Sequence, residues 1–390
     1  SRKHICQNVT FSHPLLLETP TYLHILCICA IIKLLPIRYN CCKKKTVESG
    51  ANSLKACKIN IYFLAYFLHK RLNQTDKFCY FIDKKDFTLY QTTLNEEFSF
   101  SGVGLHSGKE MPVRVSPAPA NSGVQFTRSD VKNCPMVRIT PYNVTSTQLA
   151  TTIQCGDFPI STIEHLVSAL YGLGVDNVFI EVGGPEVPIL DGSSIPIAEQ
   201  ICKTGIKVLD AKRKYLIFER SILLEHDNKI VSADIDSKPV ITFDIDYSHD
   251  AIGRQSRTLE LSPEVYLETV ALARTFGFQK EVEALWKMGL AKGGSIDNAI
   301  VLDEKDGILN PEGLRSSDEF VSHKILDLIG DLSLIGYRMI GHIYANKSGH
   351  HVNNLFARKL LETPNTYRIV ELQDEALGYN PIVCSNMAAL

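Results

Sequence analysis

Residues 316–336 read SSDEFVSHKILDLIGDLSLIG, and the reading of this stretch sets the terms for the rest of the chain. Apolar residues fall at Val321, Ile325, Leu328, Leu332 and Ile335, alternating four and three apart, which is the spacing of one helix face. His323, Asp327 and Asp331 lie four apart on the opposite side, within roughly an 80° arc. A His and an Asp at i and i+4 are well placed to hold a transition metal when a third ligand arrives from elsewhere. The same residues also suit a solvated polar face, and from this helix alone that is the stronger reading. Leu326 and Leu334 flank the polar stripe and favour a cleft wall over open water. Lys324 beside it reads equally well as a surface lysine.

The missing ligand has a candidate in STIEHLVSALYGLG, residues 161–174. His165 sits among Leu166, Val167, Ala169 and Leu170, surroundings that bury it, and beside it Glu164 offers a possible general base. The bland alternative for Glu164 is a capping box, with the residue at N3 reaching back to the Ser161 amide. A buried histidine with ordinary partners is likewise commoner than a ligand. Two further stretches carry chemistry-bearing residues. KSGHHVNN, residues 347–354, places His350, His351 and two amides where a strand end meets a helix start. ARTFGF, residues 273–278, ends a helix with a hydroxyl and two aromatics and by itself reads as core. GVGLHSGKE, residues 102–110, is not a phosphate loop: Val103 stands where the first glycine belongs and Glu110 replaces the hydroxyl residue. The dinucleotide fingerprint fails there too, at Ser107. A glycine-rich hairpin turn accounts for it. Glu164 and His165 taken with His323 and Asp327 point to a metal hydrolase.

Composition agrees with a globular enzyme. The 390 residues are 45% hydrophobic and 22% charged, with a formal net charge of -2, which argues against a general nucleic-acid binder. The average hides an asymmetry, because the first ninety residues hold 14 Lys/Arg against 5 Asp/Glu. Seven of the eleven cysteines also precede residue 90, and Cys134, Cys155, Cys202 and Cys384 are scattered without C-x-x-C spacing, as expected of free thiols in a reduced compartment. Residues 1–90 therefore read as a leader-like or disordered extension, with apolar runs too short to span a membrane.

From about Thr92 the pattern is regular. Strands are expected at 113–115, 124–127, 137–140, 151–154 and 178–182, with helices at 161–171 and 196–203. The basic stretch 207–214 reads as a boundary. A second series follows, with strands at 215–224, 229–234, 240–246, 299–302 and 337–345. Its helices are expected at 263–273, 282–288 and 352–361, besides the one in 316–336. Strands grouped before helices, twice over, predict an α+β protein of two domains, 91–212 and 213–376, with a tail at 377–390.

Seven of these stretches, taken in order, resemble one family, the zinc-dependent UDP-3-O-acyl-N-acetylglucosamine deacetylases of lipid A biosynthesis. They are GVGLHSGK with SPAPANSGVQFTR, STIEHLVSALYGLGVDN, ILDGSS, ARTFGF, GLAKGGSIDNAIVLD, DEFVSHKILDLIGDLSLIG and KSGHHVNN, and they run from near Thr92 to about residue 375. The resemblance implies two domains, each a two-layer α/β sandwich, with the active site at their interface. It implies Zn2+ on His165, His323 and Asp327, Glu164 as general base, and His350 as a cation held by Asp331. It further implies Thr275 as an oxyanion donor, Phe276 against the sugar, Lys324 on polar substrate groups, and Gly294 at the end of a segment from Val282 that forms an acyl-chain passage. The implied reaction removes acetate from UDP-3-O-(3-hydroxyacyl)-N-acetylglucosamine, in a monomer with no nucleic acid and no transmembrane span. A catalytically silent homologue that binds lipid or nucleotide-sugar is the alternative. Asn346 and His351 depart from what other members often carry. The N-terminal extension fits plant-type members expected in mitochondria; a cytoplasmic location, as in bacterial members, is the alternative.

Overall fold

Two sheets, each formed by strands whose side chains alternate between core and surface, organise the computed structural model. It describes residues 88–373 apart from 304 and 306, and leaves the side chains of 282–284 and 286 undescribed. The leader-like extension lies outside these residues except at its last three positions, and the C-terminal tail lies wholly outside.

The first half opens with β1 (Tyr90–Leu94), β2 (Phe98–Val103), β3 (Glu110–Pro117), β4 (Val124–Arg128) and β5 (Val137–Arg138). A small antiparallel meander follows, β6 (Val144–Ser146), β7 (Thr152–Cys155) and β8 (Phe158–Ile160), and leads into helix α1 (Glu164–Gly172). Next come β9 (Val178–Val182), α2 (Ile195–Thr204) and β10 (Ile206–Lys212). The sheet order is β2-β3-β9-β4-β5, with only β4 and β9 parallel. Met111, Val113 and Val115 of β3, and Val178, Ile180 and Val182 of β9, point into the core at every second position. The 102–110 stretch is the β2–β3 hairpin connection, as its glycines predict.

The second half contains β11 (Lys214–Phe218), β12 (Ile222–His226), β13 (Lys229–Asp234), β14 (Pro239–Asp246) and β15 (Arg254–Glu260). After them come a one-turn α3 (Pro263–Val265), β16 (Phe276–Phe278), α4 (Gln279–Lys287), β17 (Ile300–Leu302), α5 (Glu319–Ser333), β18 (Arg338–Asn346), α6 (His350–Glu362) and β19 (Tyr367–Glu371). β18 is the central strand of a seven-stranded sheet. Its first residues pair with β11 in parallel, and its later ones lie between β13 and β14. α5 packs on β14 and β15, α6 packs on β12 and β13, and α1 packs on α5. The protein is thus α+β, and no helix among the described residues is long and apolar enough to cross a membrane.

Several expectations need correction. The basic stretch 207–214 was given no strand, yet it supplies β10, an antiparallel partner for β1, before β11 opens in another sheet at Lys214. The run 215–224 breaks into β11 and β12, where the amides of Glu219 and Arg220 both donate to the Thr366 carbonyl. The helix expected at 263–273 is a single α-turn that widens into a π turn at Tyr266–Val270 and stops before Ala273. β15 was not anticipated; its sequence RQSRTLE has almost no apolar face, as befits an edge strand paired on one side only. The capping box at Ser161 does not form. Thr162 has φ +58°, α1 starts only at Glu164, and the Ser161 amide donates instead to the Pro185 carbonyl. With nine residues and no side-chain cap, α1 is held by packing, since Leu166, Val167 and Leu170 are buried at about 1.5–3 kcal/mol each.

The solvated face expected on α5 is also absent. His323, Asp327 and Asp331 are each only 3% exposed, as the helix is sandwiched between α1 and the sheet. The α1–α5 crossing is close enough to require glycine: a Cβ on Gly330 would lie 2.4 Å from the Glu164 carbonyl oxygen. Gly330→Ala is therefore expected to lower the thermal unfolding midpoint. Overpacking of about 1–3 kcal/mol outweighs the ~1 kcal/mol that alanine adds in helix propensity. A melt with an unchanged or higher midpoint would show that the crossing has slack.

Candidate active site

Where α1 and α5 cross, the side chains of His165, His323 and Asp327 converge. Their potential ligand atoms all lie within 4.8 Å of one another. Asp327 Oδ1 is 3.4 Å from His323 Nε2 and 3.9 Å from His165 Nε2, and the two imidazoles meet edge to face at 5.1 Å between centroids. His323 Nδ1 lies 3.1 Å from the Ala273 carbonyl, which assigns the ring proton there and turns the Nε2 lone pair inward. Burial lowers the pKa of His323, and burial together with the neighbouring His323 takes His165 to about 3, so both rings are neutral donors. Burial works against the Asp327 charge, but Lys324 and the surrounding histidines hold the carboxyl well below its usual range. Two neutral imidazoles and one carboxylate form a nitrogen–oxygen set that fits a divalent transition metal with a coordination position left open. His165 Nδ1 is buried without a hydrogen-bond partner among the described residues.

A second cluster adjoins the first. Asp331 Oδ2 accepts from His350 Nδ1 at 2.9 Å and from Asn353 Nδ2 at 2.8 Å, while Asp331 Oδ1 accepts from Thr151 Oγ1 at 2.5 Å. Burial disfavours charge on His350, yet Asp331, through charge and hydrogen bond, and Glu164 raise its pKa to about 9. The ring is therefore cationic at neutral pH. His350 Nε2 points toward Glu164 Oε1 at 3.9 Å, and Glu164 Oε2 accepts the Thr151 amide at 3.0 Å. Burial raises Glu164 to about 7, opposed by His350 and reinforced by Asp331 and Asp327. A carboxyl poised near neutrality and a cationic imidazole thus face each other beside the group that could hold a metal, an arrangement suited to moving a proton from one side of a reacting centre to the other.

The segment 271–275 ties this site to both helices. The Ser194 amide donates to the Ala271 carbonyl and its hydroxyl to the His165 carbonyl, which fastens the segment to α1. Arg274 fastens it to α5 through its amide and Nε, both donating to Glu319 Oε1 at 3.1 and 2.9 Å. Thr275 donates its amide to the Gly192 carbonyl, and its hydroxyl has no partner among the described residues. Phe276 stands edge-on to Phe320 and Tyr247, with its centroid 6.3 Å from that of His323.

Lys324 is not a surface lysine: its Nζ lies 2.5 Å from Asp327 Oδ2, and its side chain is 15% exposed. Gly294 is exposed and follows a turn at 292–293. The amides of Lys292 and Gly293 in that turn donate to the carbonyls of His106 and Leu105 in the β2–β3 connection. The acyl-passage segment from Val282 is in part α4, and the side chains of 282–284 and 286 lie outside the description.

Three residues at the site escaped the sequence reading. Thr151 and Asn353 hold Asp331. Both ring nitrogens of His106 are buried without a partner, and burial, helped by the charge of His350 and opposed by Glu186, lowers its pKa. Asn353 carried some signal as one of the two amides after His350. A threonine opening a strand and a histidine in a glycine turn carried none.

Comparison with known proteins places this geometry in a family. The family model for UDP-3-O-acyl N-acetylglycosamine deacetylase matches residues 91–362. A UDP-3-O-acyl-N-acetylglucosamine deacetylase of Citrifermentans bemidjiense is 44% identical over 290 residues, 74% of this chain and 95% of the relative. The enzyme of that name from Syntrophus aciditrophicus is 45% identical over 273 residues, covering 70% and 86% of the two chains. One from Campylobacter jejuni is 44% identical over 283 residues, covering 73% and 95%. The chain belongs to the UDP-3-O-acyl-N-acetylglucosamine deacetylase family.

Proposed function

We propose that this protein is a zinc-dependent amide hydrolase that removes the N-acetyl group from UDP-3-O-(3-hydroxyacyl)-N-acetylglucosamine, giving the free amine and acetate, the committed step of lipid A biosynthesis. The observation that carries the reading is the pairing, in one buried site, of a three-ligand metal group with a carboxyl–imidazolium couple. His165, His323 and Asp327 hold the metal, and family membership favours zinc. Zinc held there supplies a Lewis acid, which makes water acidic at neutral pH and polarises the acetamide carbonyl.

The chain's own residues do the rest. Glu164, next to a ligand and with its pKa raised by burial, takes a proton from the attacking water. The Thr275 hydroxyl donates to the oxyanion that develops at the carbonyl, with Phe276 and Lys324 placed to contact sugar and polar substrate groups. His350, kept cationic by Asp331, protonates the departing amine, and its positive charge stabilises the oxyanion on the way. A silent homologue that only binds lipid or nucleotide-sugar would have no need of this couple.

Acetate release from UDP-3-O-(3-hydroxyacyl)-N-acetylglucosamine tests the reading directly. Chelated protein is expected to be inactive and to recover with one equivalent of zinc; zinc binding without release would favour the silent homologue. Glu164→Gln should keep its zinc and lose about 10²–10⁴-fold in kcat, and wild-type turnover in that variant would remove Glu164 as the base. His323→Ala and Asp327→Ala should each lower zinc content as read by elemental analysis, and full occupancy in both would refute the ligand assignment. Asp331→Asn removes the charge that raises His350, so the imidazolium loses its proton at a lower pH. The alkaline limb of the kcat/KM profile should move to lower pH in that variant, and an unmoved limb would separate Asp331 from the acid.

A further inference from the structure

Thr151 is 2% exposed and lies between β6 and β7, far in sequence from most of what it touches. All three of its polar groups are engaged at the site. Its amide donates to Glu164 Oε2 at 3.0 Å, its hydroxyl donates to Asp331 Oδ1 at 2.5 Å, and its carbonyl accepts the amide of Ile163, just ahead of α1, at 3.4 Å. The hydroxyl takes the Asp331 oxygen that His350 and Asn353 leave to it, since both of those donate to Oδ2. One residue therefore holds the carboxyl that faces the reacting water and the carboxylate that orients the imidazolium.

From this geometry we infer that Thr151 is a positioning residue for the deacetylation. It fixes the relative placement of the general base and the Asp331–His350 pair, and it does so through a short hydroxyl–carboxylate bond of the strong, charge-assisted kind. This rests on the roles of Glu164 and His350 proposed above. The physical need is plain. Two helices supply the acid and the base, each tolerates small rotations, and a carboxylate with one oxygen undonated can swing away from Nδ1 of His350. The backbone amide sets Glu164 whatever the side chain at 151, so the side chain acts chiefly on Asp331 and hence on His350.

The test uses the full, zinc-loaded chain. Thr151→Val keeps the shape and the backbone amide but removes the hydroxyl. It is expected to retain zinc, to lower kcat about ten- to hundredfold, the worth of a hydrogen bond to a charged group, and to leave KM within about twofold. Thr151→Ser, which restores the hydroxyl, should recover most of the loss. In a His350→Ala background the same valine should cost little, because the group it acts through is gone. Wild-type kcat in Thr151→Val, a serine variant as poor as valine, or an equal loss in both backgrounds would each overturn the inference. Should Thr151→Val fail to fold, Thr151→Ala is judged on the same criteria. Glu164→Gln and His350→Ala measured alongside keep the two levels apart. If both retain turnover, the reading of the whole site fails. If both lose it while Thr151→Val does not, only the role of Thr151 fails.

Discussion

The contact of Gly330 with the backbone of Glu164 is the constraint on which the rest of the site depends. Helices with ordinary side chains pack with their axes 8–10 Å apart, but here a Cβ on Gly330 would lie 2.4 Å from a carbonyl oxygen of the neighbouring helix. That closeness lets His165 and Glu164, at the start of α1, share a site with His323, Asp327 and Asp331, which occupy successive turns of α5. With an alanine in place of Gly330 the ligand set would have to spread, and the carboxyl groups would move with it.

Closeness has an electrostatic cost that the surroundings offset residue by residue. Buried charges persist only when paired and hydrogen-bonded. Asp327 divides its two oxygens, Oδ1 toward the imidazoles and Oδ2 toward Lys324. Asp331 accepts from three donors, two on α6 and one between β6 and β7. Glu164 accepts from the Thr151 amide and faces the more distant His350, and burial raises its pKa. The three carboxyls of one cluster thus differ in their partners, as the separate roles proposed for them require.

Much of this was legible in the sequence, and the parts that were not share a physical reason. The helical period of 316–336 placed His323, Asp327 and Asp331 on one face correctly, but periodicity cannot say what covers that face. α1 covers it, so a stripe that by itself suits a solvated face is buried. The capping box at Ser161 followed a sound local rule that lost to tertiary structure: Thr162 takes a left-handed conformation, and Glu164 is free to turn inward. The hydroxyl of Thr151 meets a carboxylate 180 residues away, a contact no local pattern encodes. β18 was read nearly to its ends because both its faces and both its neighbours enforce alternation, whereas β15, paired on one side only, left almost no apolar signature.

The segment 271–275 has a mechanical meaning. It is bonded to α1 through Ser194 and to α5 through Glu319, and its Ala273 carbonyl also orients the ring of His323. A clamshell opening, in which the two halves swing about a hinge, would have to break those bonds and pull apart the ligands the helices contribute jointly. The connection at 104–108 and the turn at 291–294 lie outside that clamp and meet each other, with the Lys292 and Gly293 amides donating to the His106 and Leu105 carbonyls.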